Sequence, residues 1–129
     1  KLNASSENYV AYLWHGVEGY SKFGIYEGNG NNDGPFIYMG FRPRLVCIKA
    51  VDSNQAWYVT DTERETFNPL GEKMLSWNDS HAAFDPSGFN FDVVSNGIKI
   101  RSSDTNINSS ATFIYMAWGD VPFKYNNTF

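Results

Sequence analysis

Phe89-Asn90-Phe91-Asp92-Val93-Val94-Ser95-Asn96-Gly97-Ile98-Lys99-Ile100-Arg101 is the stretch that decides the fold. Phe89, Phe91 and Val93 alternate with polar partners, the period of a strand with one face on a core. Ile98 and Ile100 alternate with Lys99 and Arg101 in the same way. Between the two runs stands Asn96-Gly97, the strongest short-range hairpin signature, because a tight two-residue turn wants positive φ at both positions. An antiparallel hairpin is therefore expected over 89–101.

Working outward, the chain supplies further short strands separated by turn formers. Arg44 to Val51 is an almost continuous apolar run, as in a central strand covered on both faces. Asp52-Ser53-Asn54-Gln55 is a turn and Ala56 to Thr60 returns, so 44–60 reads as a second hairpin. Lys22 to Tyr26 and Phe36 to Met39 flank a loop, Glu27 to Pro35, rich in Gly and Asn. Lys73 to Trp77 is a short strand before a polar loop, Asn78 to Gly88. Ser102 to Ser110 is another polar loop, leading to a last strand from Thr112 to Trp118. Tyr9 to Trp14 is also β-rich. Nothing reads as a helix; the nearest candidate is a turn around Thr60 to Thr66. With 42% apolar and 17% aromatic residues in 129, the expectation is one all-β domain, an antiparallel β-sandwich of jelly-roll, lectin-like type spanning 1–129.

Several function classes drop out. The net charge is −4 and the ten Lys and Arg are scattered, so no basic stripe marks a nucleic-acid partner. No segment has the ~20 apolar residues of a membrane-spanning helix, so no membrane insertion is expected, and residues 1–6 lack the apolar core of a signal peptide. The single cysteine, Cys47, lies in an apolar strand and reads as a small buried hydrophobe. There is no G-x-S-x-G, and the two histidines are His15, at a strand end, and His81, in a polar loop. Asp61, Glu63, Glu65, Asp79, Asp85 and Asp92 could pair for glycoside hydrolysis, but fourteen acidic residues always offer such pairs. Asp104-Thr105-Asn106-Ile107-Asn108 has oxygen ligands that would suit Ca²⁺, yet lacks the glycine and terminal acid of an EF-hand loop, and a turn is the better reading. No catalytic residue, metal or cofactor is assigned.

What remains is recognition of a neutral or mildly acidic ligand. Sugars need flat aromatic faces for their rings and amides or carboxylates for their hydroxyls. The loops supply both. The ligand-binding candidates are Trp77, Asn78, Asp79 and His81 in one loop, Asn31, Asn32 and Asp33 in another, and Trp57-Tyr58 beside the 52–55 turn. The mix of Tyr, Ser, Gly and Asn is that of adaptable binding loops.

The two ends of the chain look alike. Asn3-Ala4-Ser5-Ser6 followed by Tyr9 to Trp14 parallels Asn108-Ser109-Ser110 followed by Phe113 to Trp118, with Tyr9 on Phe113, Trp14 on Trp118 and Val17 on Val121, an offset of 104 residues. Either both stretches belong to one sandwich, or residues 1–20 are the end strand of a preceding repeat.

Tyr9-Val10-Ala11-Tyr12, Val17 to Gly24, Gly28-Asn29-Gly30, Asp33-Gly34-Pro35-Phe36, Gly40-Phe41-Arg42-Pro43, Ser95 to Arg101 and Ile114 to Trp118 followed by Pro122-Phe123 occur in an order that resembles a module of tailed-bacteriophage virion proteins. The resemblance covers nearly the whole chain. It implies a lectin-like β-sandwich of tail-fibre or tail-spike adhesins, host-surface recognition, residence in the virion after synthesis in the host cytoplasm, other virion subunits as partners, and a homotrimer. It brings no binding residues with it. A spacer or decoration domain, and a polysaccharide depolymerase, are the alternatives.

Overall fold

The computed structural model describes residues 5–85 and 88–120. The described residues form eight strands, β1 (Ser21–Glu27), β2 (Phe36–Tyr38), β3 (Pro43–Ala50), β4 (Tyr58–Asp61), β5 (Leu75–Ser76), β6 (Phe91–Val94), β7 (Gly97–Ile100) and β8 (Thr112–Gly119). They make two antiparallel sheets, one in the order β1-β8-β3-β4-β5 and the other β2-β7-β6. The fold is an all-β sandwich. The first and last strands pair in the manner of a jelly roll, with β1 beside β8 in one sheet and β2 beside β7 in the other, while β4 and β5 extend the first sheet.

Alternation builds the core. In β8, Phe113, Tyr115 and Ala117 are buried and face the second sheet, while Ile114, Met116 and Trp118 point outward, half-buried. Val46, Ile48 and Ala50 of β3, Tyr26 of β1 and Tyr58 of β4 join the inward set. Ile37, Phe91, Val93, Ile98 and Ile100 meet them from the three-stranded sheet. Phe89, Phe91 and Phe113 are fully enclosed, each contributing about 2–3 kcal/mol of apolar burial. The outer face of the five-stranded sheet is apolar as well: Phe23, Met116, Cys47, Val59 and Leu75 stand opposite one another across its strands. Cys47 and Val59 are 1% and 3% exposed there. That accounts for the unbroken apolar run of β3, which is central and covered on both faces.

Three expectations change. The 89–101 hairpin is present, but its two-residue loop is Ser95-Asn96 between the Val94–Gly97 pair, and neither turn residue has positive φ. Gly97 opens β7 instead, at a place where a Cβ would stand 2.1 Å from the Ile37 carbonyl oxygen. The glycine is required by β2 packing across it, not by the turn. Second, one short helical turn, α1 (Thr105–Asn108), exists where only a loop was expected; the Asp104 side chain caps it by accepting from Asn106 N. Third, residues 7–16 belong to no strand, although Tyr9 to Trp14 has strand composition. Val121 and Pro122-Phe123 lie outside the described residues. Among the described residues no helix is long and apolar enough to cross a membrane.

Candidate functional site

Strand register brings the polar loops to one end of the sandwich. β1 ends at Glu27 opposite Thr112, the start of β8, and Ala50 at the end of β3 lies opposite Phe113. Tyr58 at the start of β4 pairs with both Ile48 and Ser76. Loops 28–35, 51–57, 77–90 and 101–111 therefore crown the same end. All nine residues proposed from the sequence lie on or beside these loops.

Trp57 and Trp77 are neighbours in the ladder. Trp77 N donates to Trp57 O at 3.0 Å, one rung beyond the Tyr58–Ser76 pair. Directly opposed residues share a face, so both indoles leave on the side of Val59 and Leu75, at the rim of the apolar outer face. Trp77 is 49% exposed and Trp57 half-buried. Asn78 serves this pair: its Oδ1 accepts from Trp57 N at 2.8 Å. Asp79 turns the following residues by accepting from His81 N, with His81 Nδ1 also 3.0 Å away. The His81 N–H holds the Asp79 carboxyl below the ordinary carboxylate range. Asp79, Ser80 and His81 are exposed.

Tyr58 leaves the set of ligand contacts. Its ring packs against Phe84 and Phe89 in the core and its hydroxyl meets Asn106 Oδ1 at 3.2 Å. Burial raises its hydroxyl pKa. A strand with alternating faces sends one residue of any adjacent pair inward, and here Trp57 goes out and Tyr58 in.

Asn31, Asn32 and Asp33 are exposed, but their polar atoms already hold the loop. Asn31 Nδ2 donates to Asn29 O, and Asn32 Oδ1 accepts from Ser103 N. Asp33 pairs with Lys99 Nζ at 2.7 Å, and that hydrogen bond and charge lower its pKa. The organising residue is one sequence reasoning gave no such role, Asn108. It is fully buried, and its amide donates to Asn29 Oδ1, Asn31 O and Ser102 O while accepting from Asn29 N. Beside it, Tyr26 Oη donates to Ile107 O at 2.6 Å. No local signal singles out Asn108 among many asparagines; its role depends on a partner 79 residues away.

The result is a hydrogen-bonded crown with an aromatic rim on one side and an amide-rich loop on the other. At the opposite end an open groove of about 350 Å³ runs between Val17–Lys22 and Tyr38–Phe41, with the Lys22 ammonium over the Tyr38 ring. Among the described residues no group of His, Cys, Asp or Glu is placed to hold a metal.

This chain belongs to the family described as a domain of unknown function, DUF7483, which it matches over residues 1–122. No curated protein and no solved structure matches it.

Proposed function

We propose that this domain is a non-catalytic attachment module of a phage virion fibre, binding host surface glycan through the crown of loops. The observation that carries the reading is the convergence of the four loops, with Trp57 and Trp77 opposite each other on one rung and Asp79 and His81 beside them. An exposed indole offers a flat face to a sugar ring, and the fixed Asp and His supply polar contacts to hydroxyls. Preorganisation matters: loops already tied by hydrogen bonds lose little entropy on binding. A shallow site of this kind binds weakly alone and gains avidity when repeated in a fibre or a homotrimer. Glycan-array or whole-cell binding by the isolated domain tests it. Trp77→Ala abolishes binding with no change in melting temperature; equal binding by wild type and variant overturns the assignment of the site.

A second reading, a structural spacer that packs against other virion subunits, is favoured by a different observation. Val10, Tyr12 and Leu13 are 80%, 76% and 86% exposed, an apolar display suited to a protein neighbour. Binding to virion parts without binding to host cells supports it.

A further inference from the structure

The sandwich closes one of its flanks and leaves the other open. On the closed flank β6 has its outward groups taken up. Phe91 and Leu70 exchange backbone bonds at 2.8 and 3.1 Å. The Asn68 amide stands in for a strand, donating to Val93 O and accepting from Val93 N, both at 2.9 Å. The chain beside β5 is covered in the same way, where Met74 and Phe84 exchange bonds at 3.0 and 3.1 Å. Such caps keep a sheet edge from pairing with another chain.

β1 is the opposite edge of the five-stranded sheet, and it is not capped. Gly28 N donates to Ala111 O and Gly119 N to Tyr20 O, so the even-numbered residues of β1 bond to β8. Strand groups alternate in direction, so Ser21, Phe23, Ile25 and Glu27 point their backbone groups away from β8. Val17 takes up Ser21, exchanging bonds at 2.8 and 3.0 Å. Among the described residues nothing bonds the backbone N–H or C=O of Phe23, Ile25 or Glu27. The run has no proline and no break in register, and Ile25 is 66% exposed. Lys22, the charge that could guard this edge, is drawn to Tyr38 O of β2 at 3.0 Å.

We propose that this edge pairs with the same edge of a second copy, β1 antiparallel to β1 about a two-fold axis at Ile25. Three features select a copy over an arbitrary strand. The open residues Phe23, Ile25 and Glu27 are symmetric about Ile25, so the axis sets Ile25 against itself and Phe23 against the partner's Glu27, and every open N–H and C=O finds its opposite. The run is bounded by Val17 on Ser21 at one end and by Gly28, bonded back to Ala111, at the other, so two copies overlap over the same length. Lys22 and Glu27 stand at opposite ends of the run, and antiparallel pairing brings each Lys22 within one rung of the partner's Glu27, where parallel pairing would bring like charges together. Ile25 shares the outer face with Ile114, so the joint also covers an exposed apolar side chain. The crowns lie at the Glu27 ends of the two strands and face opposite ways. The proposal stands whether or not they bind glycan.

A single strand pair is smaller than a standard protein–protein interface, so the dimer is weak, with a Kd on the order of 100 μM. The test is sedimentation equilibrium of this chain up to about 1 mM, where dimer predominates. Ile25→Lys and Ile25→Asp each set like charges against each other on the axis and stay monomeric, while an equimolar mixture of the two variants dimerises. Hydrogen exchange gives a readout without substitution. The amides of Phe23, Ile25 and Glu27 slow about 5-fold between dilute and concentrated wild type, following the dimer fraction. The Val93 amide, capped within the chain by Asn68, is protected at every concentration. A wild type that is monomeric at the highest concentration, an oligomer that survives Ile25→Lys, a mixture of the two variants that stays monomeric, or exchange at the three amides that ignores concentration would each overturn the proposal.

Discussion

Asn108 and Asn29 grip each other reciprocally: Asn108 Oδ1 accepts from Asn29 N at 2.9 Å while its Nδ2 lies 3.0 Å from Asn29 Oδ1. One buried amide thereby closes the loop after β1 onto the loop before β8. Removing it strands the buried Ser102 carbonyl and takes a donor from the Asn31 carbonyl. Asn108→Ala is expected to cost about 3 kcal/mol. Asn108→Asp keeps the acceptor but loses the donors, and is nearly as damaging at neutral pH. Urea unfolding measures both; an Asn108→Asp variant as stable as wild type would show that the donor side is dispensable.

Glu65 plays a comparable part between β4 and the segment around Gly71. It is buried, and its carboxylate accepts from Thr60 Oγ1, Gly71 N and Glu72 N at 2.6–3.1 Å. It thus serves as a structural acceptor. Glu65→Gln puts an NH₂ among donors and destabilises by about 2 kcal/mol. Gly71 adjoins it at φ 144°, and an added Cβ would stand 1.5 Å from Phe89 O. Gly71→Ala is expected to destabilise by about 3 kcal/mol or more. Guanidinium midpoints report both, and an unshifted midpoint for Gly71→Ala contradicts the close approach.

Cys47 provides a probe of global opening. Burial pushes its thiol up to about 12. At pH 8 the thiolate fraction alone makes it on the order of 10³-fold slower to react than a free thiol. Labelling with Ellman's reagent should track unfolding, and rapid stoichiometric reaction of the native protein would contradict this. The sign of the linkage follows. The folded value lies above the unfolded one, so the group withdraws stability as pH rises past about 8.5, where the unfolded thiol ionises first.

Acid should loosen the crown before the core. Asp79, held down by the His81 N–H, and Asp33, held down by Lys99, both have lowered folded values. Their contribution is present at neutral pH and is lost as pH falls below about 3.9 through the folded values. Both are exposed, so the change is local. An NMR titration should show the His81 amide moving with a midpoint below about 3.9, absent in Asp79→Asn. A midpoint above that value removes the explanation.

The sequence by itself determined the strands that run from β1 to β8, because alternating and continuous apolar runs leave few other uses for Phe91, Val46 or Phe113. It also identified the polar loops and the Trp-Asn-Asp stretch at 77–79. Tertiary structure decided everything that depends on distant partners. Tyr9 to Trp14 has the composition of a strand, but a strand needs a ladder, and among the described residues this stretch is part of none. Gly97 looked like a turn residue, whereas the Ile37 carbonyl behind it imposes the glycine. Trp57 and Tyr58 are equal as letters; only their register against Ser76 sends one outward and the other into the core. Asn108 is one asparagine among many until folding brings Asn29, Asn31 and Ser102 around it. Hydrophobic periodicity is local and survives in the sequence, while hydrogen-bond satisfaction of a buried amide is a property of the assembled fold.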